Sequence, residues 1–401
     1  MKRPYVKDGK WLVFTDDPGI PKVPRLIVAP VDGSESQPRE VATNASFAGW
    51  APDGRSLLFS RKRDNAHDLY LLPFADGRAG GEARQILTLP AFFSSPLGVT
   101  ANGSLILATS RDTADAMVVP IEANTATLGE PSAPQPVVGV DGRYATSLGP
   151  RFSPDGRKIS YVTEPKTVLI RSLTDGSERT TLVQLARLER IEWAPDGGSL
   201  FAIGVNATGV RGIYQADLNT GAVALVTPAA NPRGLAFTPE GGTLFYRKEP
   251  GVVARDLKSG VERMVAEFAI NPNPHPLDLR VSHDGRRLAA IQQNNLWIID
   301  IATGQIQRRI ARGGEPNSSY RGVAWSAGDA HLLTIESNWR TPITELVSYP
   351  MDGVEPVRRA TKNYQGLWLS PDGKQAVTMR RQWHQQIWVL ENFLPPAAGP
   401  K

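Results

Sequence analysis

The stretch Phe152-Ser-Pro-Asp-Gly-Arg157 decides the fold, because it returns along the whole chain. The other copies are Tyr5-Val-Lys-Asp-Gly-Lys10, Trp50-Ala-Pro-Asp-Gly-Arg55, Val99-Thr-Ala-Asn-Gly-Ser104, Trp193-Ala-Pro-Asp-Gly-Gly198, Phe237-Thr-Pro-Glu-Gly-Gly242, Val281-Ser-His-Asp-Gly-Arg286, Trp325-Ser-Ala-Gly-Asp-Ala330 and Leu369-Ser-Pro-Asp-Gly-Lys374. Their fourth positions fall at 8, 53, 102, 155, 196, 240, 284, 328 and 372, so the last four steps are all 44 residues. Repetition at this period is the signature of a repeat architecture. Pro presets φ and Gly accepts a positive φ, so each copy is a tight turn.

A short apolar strand follows each turn, such as Leu57-Leu-Phe59, Leu200-Phe-Ala202 or Leu244-Phe-Tyr246. A polar loop and a third strand come next, for example Leu69-Tyr-Leu-Leu72 or Leu296-Trp-Ile-Ile299, usually closed by a second turn such as Asp175-Gly176, Thr220-Gly221 or Thr303-Gly304. A weaker fourth strand leads to the next copy. Four hairpin-linked strands per repeat make one blade of a β-propeller. The expected fold is therefore all-β: a β-propeller of four-stranded antiparallel blades and nine repeat units, closing as nine blades or as eight with one unit irregular. It is read as a single domain over 1–401, with units starting near 4, 47, 96, 149, 190, 234, 278, 322 and 366. The aromatics leading into the turns (Tyr5, Trp50, Phe152, Trp193, Phe237, Trp325) are expected to pack between neighbouring blades.

Composition agrees. The 37 Gly and 33 Pro make up 70 of 401 residues, above the roughly 12% of an ordinary chain, which leaves little room for long helices. Ser177–Ala194 and Lys374–Leu394 hold neither Gly nor Pro, with Leu182, Leu185 and Leu188 at spacing three, yet the repeat phase places strands there. The largest steps, 49 and 53, are the second and third, and the extra residues of the longer one fall in rim loops at Glu122–Pro136 and Val140–Leu148. The first unit starts beside Met1 and the last lacks an outer strand, which reads as a fragment of a longer protein or as closure without overlapping termini. No apolar h-region and no membrane-length apolar run occurs in the chain as given. The compartment stays open: cytoplasmic as written, extracytoplasmic if the chain is a fragment.

The motif resembles the WD40-like (PD40) repeat of TolB-type β-propellers over essentially the whole chain. Such a resemblance implies the fold, and its relatives range over periplasmic scaffolds, propeller halves of peptidases, and sensor ends of bacterial Ser/Thr kinases and winged-helix regulators. The ending Gln386-Ile-Trp-Val-Leu-Glu-Asn-Phe-Leu-Pro395 is similar to that last group. No kinase signature and no Gly-x-Ser-x-Gly elbow accompanies it.

No catalytic set stands out. There is no cysteine, and His67, His275, His283, His331 and His384 are scattered without zincin spacing, so neither a metal site nor a cofactor is expected. His283 replaces Pro in a turn and reads as a surface turn residue. The repeated Asp residues read as bonding their own backbone. By repeat phase, the loops around the channel mouth carry Arg61, His67, Arg111, Arg190, Arg233, Tyr320, Arg321, Trp339, Arg340, Arg381, Trp383 and His384. Arg and Trp are the usual anchors of interaction surfaces. Two readings stand side by side: solvated loops with incidental charge, or a rim that binds a protein, a peptide or a small anionic ligand. The mild excess of 45 Lys and Arg over 40 Asp and Glu, with no sustained aromatic–basic interleaving, argues against nucleic acid. The function expected is a non-catalytic binding scaffold or sensor. The alternatives are a propeller lyase or hydrolase acting at the mouth, or the detached regulatory half of a peptidase or kinase.

Overall fold

The computed structural model describes residues 5–7, 10–16, 23–32, 37–63, 66–90, 93–131, 140–141, 149–164, 166–267, 278–292, 295–311, 318–338, 344–361 and 364–394. Among them there is no α-helix, only strands and one 3-10 turn at Ala327–Asp329. The fold class is the one the repeat implies: an all-β β-propeller type built from four-stranded antiparallel blades over nine repeats. Repeat five is typical. Its strands Arg187–Trp193, Ser199–Val205, Arg211–Asp217 and Val223–Pro228 pair in sequence order. Repeats one, four, six, seven and eight build sheets of the same order, and repeat two adds a fifth strand. The helical hint in Ser177–Ala194 gives way to strands Glu178–Leu182 and Arg187–Trp193.

The turn chemistry explains the recurring hairpin. In repeat four the Gly156 amide donates to the Ser153 carbonyl, and the Arg157 amide donates to the Asp155 carboxylate. Gly156 sits at φ 69°, a left-handed conformation that L side chains rarely adopt. The Ser153 hydroxyl and Arg157 amide hold the Asp155 carboxyl below its ordinary value. Asp284 and Asp372 repeat these bonds, so the turn carboxylates serve their own backbone.

Repeats three and nine depart from the one-repeat, one-sheet rule and share a sheet ordered Phe93–Val99, Leu105–Glu122, Gln375–Leu390, Tyr364–Leu369. The loop that the repeat pattern puts between second and third strands is absent here, because Gln375–Leu390 is one 16-residue strand. Leu105–Glu122 likewise runs unbroken for 18 residues. Neither Leu105–Val119 nor Gln375–Leu390 holds a Gly or Pro to end it. The rim loop expected over Glu122–Pro136 is in part a hairpin onto Thr127–Leu128, and most of Val140–Leu148 lies outside the described residues.

Contacts divide the chain into two compact units, 1–111 with 383–401, and 112–382. In the first unit, the sheets of repeats one and two enclose a core of Leu57, Phe59, Leu72 and Phe74, and Leu105 and Leu107 of the long strand pack with Leu58 and Leu69 in a second. In the second unit, the first strands of repeats four to nine touch in succession, and Tyr364–Leu369 returns to Arg151–Phe152. Six blades thus close a circle. The blade that closes it takes Tyr364–Leu369 and 375–382 from repeat nine and its two outer strands, 112–122 and Thr127–Leu128, from repeat three. The outer strand missing from the last repeat is supplied from far upstream.

The turn-leading aromatics sit between blades. Trp193, 4% exposed, packs with Val162, Val168 and Ile170 of repeat four and Leu200, Ala202 and Tyr214 of its own. Trp325 packs against Ala289, Ile291 and Leu296 of repeat seven. The Tyr5 side chain lies outside the described residues. Replacing Trp193 by Ala is expected to cost about 3–5 kcal/mol, read as a lower urea midpoint at unchanged slope; a loss under about 1 kcal/mol would contradict inter-blade packing.

Two departures from the motif meet across one junction. At other junctions a turn Gly touches the Pro of the preceding turn, as Gly241 meets Pro195 and Gly285 meets Pro239. Here His283 replaces the Pro and Asp329 replaces the Gly. The buried Asp329 carboxylate accepts the His283 and Asp284 amides and lies 2.7 Å from His283 Nδ1. His283 is therefore part of an inter-blade bond and not only a surface turn residue. Asp329→Ala is expected to lose about 1–3 kcal/mol by stranding two amides. The double variant His283→Pro with Asp329→Gly restores the common contact and should lose less than the sum of the two single changes, as a double-mutant cycle would measure.

Candidate functional site

The centre of the six-blade circle is where charge concentrates. Arg151, Glu192 and Arg280 occupy the same place in their repeats, four residues before positions 155, 196 and 284. Arg151 Nε donates to Glu192 Oε2 at 2.9 Å, and Arg280 Nη1 reaches the same oxygen at 3.3 Å. Two residues earlier in phase, Arg190 Nη2 donates to Asp278 Oδ1 at 2.8 Å, and Arg280 Nη1 lies 3.4 Å from that oxygen. The Val323 amide donates to Asp278 Oδ2. Repeat six stands between repeats five and seven in the circle, so these pairs bridge its middle. Three guanidiniums share two carboxylates there.

The site is nearly closed to solvent. The Arg151 side chain is 3% exposed and that of Asp278 is 6%. Arg151 stacks its guanidinium 4.9 Å from the Trp368 ring centroid, and its Nη1 donates to the Gly149 and Pro150 carbonyls. Gly149 and Gly366 make room for that indole, since a Cβ on either would come within 2.2 Å of it. Burial, with Arg280 and Arg190 nearby, pulls Arg151 down to about 10 although Glu192 holds it up. Burial pushes the Asp278 carboxyl up, but Arg280, Arg190 and Arg151 outweigh it and leave Asp278 below its ordinary value. Trp193 Nε1 donates to the Arg151 carbonyl and Trp325 Nε1 to the Arg280 carbonyl, which ties the network to the inter-blade packing.

Of the residues expected at the mouth, Arg190, Arg233 and Arg321 come from the starting halves of first strands in this circle. Arg190 is inside the network. Arg233 is half-buried, and burial lowers its pKa with help from Arg211, Arg247 and Arg190, against the pull of Glu189. Arg321 Nε donates to Ser337 Oγ. Tyr320 is 3% exposed and packs in the core with Trp325 and Tyr349, so it belongs to the interior and not to a surface. Arg61 and His67 belong to the first unit. Arg61 stacks on Tyr70 with its guanidinium 4.8 Å from the ring centroid, and burial, with Lys62, lowers the His67 pKa. Trp339 and Arg340 lie outside the described residues, as do the side chains of Arg111, Arg381, Trp383 and His384.

Arg151, Glu192 and Arg280 on first strands, and Asp278 immediately before one, are absent from the expected set, which is drawn from the loops. Their signal was available in the phase-aligned sequence, where two arginines and a glutamate recur at one otherwise apolar register position. Among the described residues no group of three or more His, Cys, Asp or Glu could hold a metal ion, and no helix is long and apolar enough to cross a membrane.

One carboxylate of the second unit lends itself to a pH test. Burial disfavours the charged form of Glu262, but Lys248 at 2.6 Å, Tyr246 Oη at 2.6 Å and Arg255 outweigh it and hold Glu262 at about 2, against an ordinary 4.5. Its folded pKa is depressed, so its stabilisation is complete above 4.5 and is lost as pH falls through about 2. Glu262→Gln should show a shallower fall in stability across that window than the wild type; equal slopes in acid urea melts would contradict the assignment.

No family model matches the sequence, and no curated protein matches it. Among solved structures, a TolB candidate from Agrobacterium tumefaciens aligns with 17% identity over 68% of this chain and 99% of its own, at a TM-score of 0.49. TolB from Acinetobacter baumannii aligns with 13% identity over 93% of this chain and 82% of its own, at 0.41. A chain of the nidogen/laminin complex aligns with 14% identity over 67% of this chain and 98% of its own, at 0.47.

Proposed function

We propose that the chain is a non-catalytic binding scaffold or sensor, and that the mouth around the arginine-bearing centre of its six-blade circle recognises a protein or peptide partner. The observation that carries this reading is the convergence of Arg151, Arg190 and Arg280, three guanidiniums of the described residues, around Glu192 and Asp278, with Arg233 close enough to feel Arg190. A cationic excess with low-dielectric walls focuses field and draws anionic groups, and the planar guanidinium gives directional, paired hydrogen bonds to them. Glu192 and Asp278 are each held by two arginines, which favours a positioning role over acid–base work. The rim candidate Arg321 extends the same surface in this reading.

The test is selection of peptides from a random 12-mer display library on the purified protein, followed by measurement of the winners on Arg321→Glu. Affinity falling about tenfold or more supports recognition at this mouth. Unchanged affinity across the selected panel overturns it.

A further inference from the structure

Repeat six carries an arrangement that proteins avoid unless a counter-charge is supplied. Arg233 on the first strand and Arg247 on the second are direct register partners in an antiparallel pair. Side chains so placed have Cβ atoms about 4.5–5.5 Å apart, and like charges there repel. Arg247 is only 9% exposed. Its acid neighbour, Glu249, stands at 3.8 Å and is itself 58% exposed, which is too long for a hydrogen bond. Arg233 donates through Nε to Asn231 Oδ1 at 3.3 Å, and among the described residues no carboxylate lies within ion-pair distance of it.

Among the described residues, the acids nearest this pair are already engaged. Glu189 is held by Arg187 at 2.6 Å and by Arg211. Asp278 is shared by Arg190 and Arg280. The register slips between Arg233 and Ala236, with Gly234 at φ 62°, so the strand bulges immediately after Arg233. Bulges turn a side chain away from the regular pleat and are common beside binding sites. Two guanidinium forks, one buried and one half-buried, without a carboxylate between them match a tetrahedral or planar oxyanion better than a spherical halide.

We infer that Arg233 and Arg247 form an oxyanion subsite that takes a phosphate or carboxylate group of the ligand. The inference rests on the mouth being a binding surface and narrows it to one chemical class. Occupation cancels the repulsion between the two arginines, so the subsite is stabilised by what it binds.

The probes are inorganic phosphate and N-acetylglycylglycine, with the amide of the latter as the uncharged control. They are titrated calorimetrically into the full chain in a low-salt chloride buffer, with thermal melts run in parallel. The expected result is saturable binding of at least one anion with a raised melting temperature, and none of the amide. Arg233→Gln should bind at least tenfold more weakly, while its anion-free melting temperature equals or exceeds that of the wild type. A response to phosphate alone marks a phosphoryl ligand, and one to the dipeptide alone marks a peptide terminus. Absence of saturable binding, or equal binding by Arg233→Gln, overturns the subsite. Display-selected peptides that still bind when neither anion binds nor competes would remove this inference and leave the wider reading standing.

Discussion

Glu192→Leu is expected to destabilise the protein by about 3–5 kcal/mol, the usual cost of removing one partner from a buried ion pair. The substitution removes the carboxylate that Arg151 pairs with at 3% side-chain exposure, and leaves Arg280 its contact with Asp278. Removing a carboxylate from a site already rich in guanidiniums raises the uncompensated charge, so the loss should fall at the upper end of the range. The check is a urea melt of the single variant beside Arg151→Met with Glu192→Leu. The double variant removes the stranded charge as well as its partner and should be the more stable of the two. If the single variant loses under about 1 kcal/mol, the network is solvated and the centre is not a dry, charged site.

The second large effect concerns closure. Ala116→Pro places a proline in the upstream segment that completes the sixth blade, where Ala116 is 1% exposed beside Phe152, Trp368 and Met379. Proline removes a ladder donor and fits poorly within a sheet. The expected loss is at least about 3 kcal/mol, combining the missing bond with disturbed packing. Because the segment closes the circle, limited proteolysis should then cut within repeats four to eight faster than in the wild type. A protease pattern and a urea midpoint both like wild type would show that the upstream segment does not hold the circle shut.

The blades were legible in the sequence for a simple reason. Each turn needs Pro, Asp and Gly at fixed offsets, and those residue types are scarce enough elsewhere to stand out. Arg190 and Arg233 were legible by phase, since they fall near the start of first strands. Arg151, Glu192 and Arg280 were not, because a charged residue inside an inner strand looks like an exception until the circle places three of them together. The shared sheet was hidden by the repeat itself, which suggests that every copy closes its own hairpins. Only the lack of Gly and Pro in Leu105–Val119 and Gln375–Leu390 pointed the other way. The His283–Asp329 bond needed both departures to be seen as neighbours, which two positions 46 residues apart do not reveal.

The composite blade also sets an order of assembly. The Ile121 amide donates to the Lys374 carbonyl, so the seal of the circle joins segments separated by nearly the whole length of the repeats it encloses. Repeats four to eight emerge from the ribosome before the strand that locks them, and they must wait as an open arc with Ala116, Val119 and Ile121 lacking their eventual partner. Contacts of such long sequence separation form late and slow folding. An arc that waits with an unpaired strand is the species most exposed to mispairing with other nascent chains.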